Sequence, residues 1–166
     1  MYIRKSEISD MDEILRIFSF ARKFMKENGN PNQWGDEHPS KSLIENDILN
    51  GNSYVCVDDG KVVGTFFYKE GNDPTYERIY SGQWKNNNPY GVVHRIASIE
   101  GKQGVASFCL NWCFEKCKNI RIDTHRDNIP MQNLLKKNGY EECGIIYLEN
   151  GDERIAFQKE QRDLVN

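Results

Sequence analysis

The segment Val92–Phe114, VVHRIASIEGKQGVASFCLNWCF, constrains this chain more than any other: a β-rich run passes through Gly101 and Gly104 straight into a strongly apolar helix pattern. Helices usually begin on Ser, Thr, Asp or Asn, whose side chains satisfy the first backbone N–H groups. A start flanked by glycine leaves those donors open and partially positive, which suits a phosphate, provided nothing bulky blocks its approach. In GKQGVA, Gly101 and Gly104 admit close contact with the backbone, Ala106 keeps the first turn small, and Lys102 adds a countercharge. A plain glycine turn joining strand to helix fits the same spacing, because short glycine motifs recur by chance. Two other nucleotide motifs are excluded. The chain has no Gly-x-x-x-x-Gly-Lys-Ser/Thr string, and no three-glycine fingerprint opens a repeated parallel βαβ unit.

Elements on either side can be read from periodicity and turn chemistry. Tyr2 to Arg4 suits a short strand, and Ser9 with Asp12 resembles a capping box opening a helix with apolar positions Met11, Ile14, Leu15, Phe18, Ala21 and Met25. The turn formers of NGNPNQWGDEHP follow, around Trp34, and a second helix is expected from Ser40 or Ser42 to near Asn50-Gly51. Tyr54–Val57 and Val62–Tyr68 form a hairpin through Asp58-Asp59-Gly60. A polar stretch with Tyr76, Tyr80 and Trp84 leads to the strand Val92–Ile99, in which simple alternation puts His94 and Ile96 on one face and Arg95 and Ala97 on the other. After the glycine-flanked helix, which runs to about Lys118, come a strand over Asn119–Thr124 and a helix capped by Asn128, with Pro130 in its first turn and Gly139 beyond its end. A hairpin across Asn150-Gly151 closes the chain.

At 166 residues, without a repeat or a long linker, residues 1–166 are expected to form one domain. Twenty-two basic against 25 acidic residues, a net charge of -3, give no electrostatic case for nucleic acid or an anionic membrane, so a small-molecule or protein partner is expected. No window approaches the ~20 apolar residues of a membrane span, the N-terminus lacks a signal-peptide core, and five cysteines without CxxC pairing suit a reducing compartment; a cytoplasmic location is expected. Cys109, Cys113 and Cys117 recur every four residues along one helix stripe, where thiols cannot surround a metal ion by themselves, so core packing and no metal are expected. The exposed edge of the final hairpin leaves a homodimer open.

VVHRIASIEGKQGVASFCLNW followed by RIDTHRDNIPMQNLLKKNGYEECG resembles the GNAT superfamily of N-acetyltransferases. Gly104 and Ala106 match the family's Gln/Arg-x-x-Gly-x-Gly/Ala loop, and Asn128, Met131, Leu134, Lys137, Gly139 and Tyr140 match its later helix. The resemblance implies an α/β (α+β) fold: a mixed, largely antiparallel central sheet flanked by about four helices and splayed at an acetyl-CoA site. It further implies transfer of an acetyl group from acetyl-CoA to a primary amine of a small molecule or protein, by direct attack in a ternary complex. Ile96, Ala97 and Ile99 would offer backbone amides to the pantetheine arm. Lys102, Gln103, Gly104, Val105, Ala106 and Ser107 would surround the pyrophosphate, with Asn128 and Lys137 nearer the distal cofactor.

The chain departs from the family pattern twice. Gly101 stands where the loop usually has Gln or Arg, and Leu135 stands where a tyrosine often protonates the departing thiolate. Those changes keep open a non-catalytic acyl-CoA-binding sensor of the same fold. For the base, Glu100 and His94 flank the reaction line the family implies. The bland alternatives are a solvated turn carboxylate and a hydrogen-bonded core histidine. Trp34, Tyr80 and Trp84 are candidate substrate contacts, since loops at these places shape the family's acceptor pocket; as plain sequence they are equally apolar anchors under loops. His125, ahead of Asp127-Asn128, suits a turn and capping role.

Overall fold

The computed structural model describes residues 1–161. Its elements are β1 (Tyr2–Lys5), α1 (Met11–Glu27), α2 (Lys41–Leu49), β2 (Ser53–Asp58), β3 (Lys61–Glu70), β4 (Gly91–Ser98), α3 (Val105–Cys117), β5 (Asn119–Thr124), α4 (Ile129–Lys137), β6 (Glu141–Tyr147) and β7 (Glu153–Glu160). The strands form one open sheet in the order β1-β2-β3-β4-β5-β7-β6. Every neighbouring pair is antiparallel except β4 and β5, which α3 joins as a parallel crossover.

Local chemistry sets most boundaries. Ser40 caps α2 by accepting the N–H of Leu43, and Asn128 caps α4 by accepting that of Met131. Asp59 and Gly60 both have positive φ, 50° and 75°, so β2 and β3 meet in a tight turn whose twist matches the strands. The start of α1 differs from expectation. A short 3-10 turn, Ile8–Asp10, precedes it, and the Asp10 carboxylate accepts the N–H of Glu7 at 2.7 Å while taking both guanidinium nitrogens of Arg4. The pair with Arg4, assisted by the Glu7 amide and opposed by burial, lowers the pKa of Asp10. The Asp10 side chain is thus spent on the 3-10 turn and on Arg4, and α1 begins after Asp10 with no side-chain cap in place of a Ser9–Asp12 box.

Two apolar clusters cover the two faces of the sheet. On one, α1 and α2 supply Ile14, Phe18 and Ile44 against Val55, Val57 and Ala97. On the other, Val105, Cys109, Leu110 and Cys113 of α3 and Leu135 of α4 pack on Phe66, Val93 and Ile96. The cysteine stripe is therefore core, and among the described residues no group of ligating side chains could hold a metal ion. A third cluster, around Tyr76 and Tyr90, seats the β3–β4 connection against β6 and β7. That connection is pinned further: Lys85 donates its N–H to Gln158, Asn119 donates to Asn86, and the Arg121 guanidinium lies between the rings of Trp84 and Tyr90.

Among the described residues no helix is long and apolar enough to cross a membrane.

Candidate active site

Strand β4 is the element around which the site is organised. It pairs with β5 only at Gly91–Ile120 and Val92–Arg121, after which the two parallel strands part. On its other side, Phe67 faces His94 and Thr65 faces Ala97, so β4 spends three residues where β3 spends two. The extra residue is a bulge at Arg95, whose φ of +50° lies in the left-handed region that a non-glycine residue seldom occupies. Asp47 of α2 holds it with bonds of 2.9 and 2.8 Å to Nε and Nη2, and the guanidinium sits 4.6 Å from the centre of the Phe67 ring. Burial pushes Asp47 above the ordinary carboxylate range, and Arg95 only partly offsets this.

The bulge overturns the expected alternation. Because Thr65 and Phe67 share a face of β3, their partners Ala97 and His94 share a face of β4, while Val93 and Ile96 pack into the core on the α3 side.

A cavity of about 570 Å³ fills the gap between the parted strands, bounded by residues 93–96 of β4, residues 122–124 of β5, Trp34, Asp73 and Arg154. His94 Nε2 lies 2.8 Å from Asp73 Oδ2, and Nδ1 lies 4.0 Å from Asp123 Oδ2. Both carboxylates are fixed from behind. Asp73 Oδ1 accepts from the N–H and hydroxyl of Thr75, and Asp123 accepts from the Tyr76 hydroxyl at 2.5 Å. Burial opposes ionisation of Asp73, but the bonds from His94 and Thr75 outweigh it and bring its pKa down to about 2. An ionised carboxylate only accepts hydrogen bonds, so the proton of neutral His94 resides on Nε2 and the free lone pair on Nδ1.

Past the end of β4, the chain turns through Gly101 and Gly104, with φ of +80° and +83°. No side chain caps α3 at Gly104, and among the described residues no atom beyond the adjoining residues lies within 4 Å of where a Cβ would sit on either glycine. This corner fits a diphosphate: it is open, its amides have no side-chain cap, and the dipole of a thirteen-residue helix points at it. Lys102 stands beside it, ion-paired with Asp58.

The other sequence candidates fall in several places. Ile96 and Ala97 lie on the bulged segment of β4, whereas the Ile99 amide is not free, since it donates to the Val63 carbonyl at 2.9 Å. Gln103, Val105 and Ala106 surround the start of α3, where Ser107 accepts a bond from Asn138. Asn128 borders the cavity with its side chain committed to the α4 cap and to Gln33, and Lys137 is exposed at the end of α4. Glu100 is exposed in a different groove, with Glu13, Arg16 and Lys61. Trp34 reaches the cavity, its ring edge-on to Phe18. Tyr80 packs on Tyr147, and Trp84 covers Arg121 and donates to the Tyr76 carbonyl; neither lines the cavity. His125 accepts the N–H of Asp127 in the turn before α4. Leu135 is fully buried in the core. Reading the sequence missed Asp73, Asp123 and Arg154. An Asp-Pro-Thr turn at 73–75 is the only local signal any of them carries.

A solved acetyltransferase of the GNAT family from Streptococcus agalactiae is 32% identical to this chain, with a TM-score of 0.88 over 98% of this chain and 96% of that one. This chain belongs to the GNAT family of acetyltransferases. The fold extends to more distant acetyltransferase structures. A ribosomal-protein-alanine N-acetyltransferase from Brucella melitensis is 16% identical, with a TM-score of 0.66 over 97% of this chain and all of that one. The NatB acetyltransferase complex bound to CoA and MES is 15% identical, with a TM-score of 0.62 over 96% and 98% of the two chains. No protein-family model matches the sequence, and no curated protein matches it. For a GNAT acetyltransferase, the parted β4 and β5 and the uncapped start of α3 are the parts of the fold with chemistry still to be assigned.

Proposed function

We propose that this GNAT protein transfers an acetyl group from acetyl-CoA to a primary amine of a small molecule or protein, with His94 as general base. The observation that carries this reading is the Asp73–His94 pair, set in a cavity that opens where β4 leaves β5, on the strand that leads into the uncapped helix. The amides from Lys102 to Ser107 and the Lys102 ammonium would hold the diphosphate, and Ile96 and Ala97 at the bulge would hold the pantetheine arm. Bound there, the thioester supplies an electrophilic acyl carbon and a thiolate leaving group. The protein's task is to orient the amine, exclude water and move one proton.

Asp73 fixes the His94 tautomer, so Nδ1 accepts the proton the amine gives up. The resulting imidazolium has Asp73 on one nitrogen and Asp123 near the other, an arrangement that stabilises its charge. Leu135 cannot protonate a thiolate, which leaves that step to His94 or solvent; a thiol of ordinary pKa near ~8.5 departs without strong assistance. Leu135 is also the observation that favours a second reading, a sensor that binds acyl-CoA without turnover.

The test is thiol release from acetyl-CoA across a panel of primary amines. His94→Gln is expected to lower kcat/KM about 100-fold or more while calorimetric affinity for acetyl-CoA stays unchanged. Undiminished turnover in His94→Gln would remove His94 as base. Cofactor binding with no amine-dependent thiol release would support the sensor.

A further inference from the structure

We infer that the acceptor amine also carries a carboxylate, and that Arg154 receives it in the cavity that holds His94. The inference rests on the reading that this cavity takes the acceptor. Arg154, on β7, is 5% exposed and lines the cavity. Its hydrogen bonds go to two neutral carbonyls, Glu153 at 2.9 Å and Gln33 at 3.2 Å, which use two of the five guanidinium N–H donors.

Among the described residues no carboxylate lies within ion-pair distance of Arg154. Asp152, exposed at the cavity mouth, is bonded instead by Asn150. The other arginines of the interior are provided for: Arg95 has Asp47, and Arg121 has two aromatic faces and the Asn86 carbonyl. Burying a guanidinium without a counter-anion is costly unless a bound group supplies one.

The register places this cation relative to the acidic part of the cavity. Asp123 of β5 stands opposite Ala156 of β7, and Arg154 lies two residues before Ala156, so Asp123 and Arg154 share a face of the sheet as diagonal neighbours. Such positions are about 7–8 Å apart, a span their side chains can close around a small zwitterion. Its ammonium goes to Asp123 and the Asp73–His94 pair, and its carboxylate takes the planar fork of Arg154.

The anion is a carboxylate and not a phosphate dianion because, among the described residues lining the cavity, Arg154 is the one arginine or lysine without a carboxylate partner. Arg95 is held by Asp47, and His38, which also lines the cavity, is kept below its usual pKa by burial and by Arg95, Arg154 and Arg22, so it adds no charge at neutral pH. Polyamines and aminoglycosides lack the group that Arg154 would recognise.

Matched pairs of amines test this: lysine against cadaverine, histidine against histamine, tyrosine against tyramine. Each is titrated calorimetrically into the protein saturated with CoA and assayed for thiol release with acetyl-CoA. At least one carboxylate-bearing member is expected to bind about tenfold or more tighter than its counterpart. Arg154→Gln should erase that preference through the carboxylate-bearing member alone, while Arg154→Lys retains part of it. Wild-type protein that binds or acetylates the decarboxylated amines as well or better overturns the inference and leaves the acetyltransferase reading standing. A panel in which no pair is discriminated also overturns it, and absence of acetyl-CoA binding overturns both.

Discussion

On the proposed reading, the chemistry of this protein concentrates in a bond between residues 21 positions apart, His94 on β4 and Asp73 in the connection before it. A histidine in a β-rich run is visible in the sequence, and so are its two readings. What favours the base reading, an ionised carboxylate on one nitrogen and a cavity beside the ring, depends on where the Asp-Pro-Thr turn lands. Arg154 carries no sequence signal, because an arginine in an alternating strand is ordinarily a solvent-facing residue. Asp73 yields a stability prediction. Its carboxyl titrates at about 2 in the folded protein, below the ordinary value of ~3.9, so as pH falls the unfolded chain takes up this proton first. The contribution is therefore fully present above about pH 4 and lost as pH falls toward 2. Wild type should exceed Asp73→Asn in urea midpoint at pH 6, and the gap should narrow near about pH 2.5. A gap independent of pH would contradict the assignment.

Individual elements were legible where turn and cap chemistry is local. The Asp59-Gly60 hairpin, the Ser40 cap of α2, the Asn128 cap of α4 and the glycine-flanked start of α3 all follow from side chains within a few residues of the feature they set. Features set from a distance were not legible. Arg4 pairs with Asp10, whose carboxylate closes the turn before α1 and leaves the helix without a side-chain cap, and Asp47 of α2 holds the Arg95 bulge that shifts Ala97 to the face of His94. The seating of α3 depends on one more remote contact. A Cβ on Gly64 of β3 would lie 2.6 Å from Val105 Cγ1 and 3.4 Å from the Ala97 carbonyl. Val105 is β-branched and fully packed, so it has little room to yield. Gly64→Ala should cost about 1–3 kcal/mol, read as a lower urea midpoint at unchanged slope, and should weaken acetyl-CoA binding by displacing the start of α3. An unchanged midpoint would show that α3 has slack there.

On the scale of the whole molecule, the fold creates its candidate site by an interruption. One parallel pair, β4 and β5, sits within an otherwise antiparallel sheet and keeps only two residue pairs before it opens. The order of strands and helices was readable from periodicity, and the family from the loop and helix motifs. The parting of β4 and β5 was an implication of that resemblance, since nothing in either strand's own residues announces it. The central claim is that the uncapped corner from Gly101 to Ser107 grips the diphosphate of acetyl-CoA while the gap between the two strands takes the acyl arm. A crystal structure with CoA tests it most directly. The account predicts diphosphate density within hydrogen-bond reach of the amides of residues 102–107 and the arm alongside Ile96 and Ala97. Phosphates bound elsewhere, with this corner left to solvent, would contradict it.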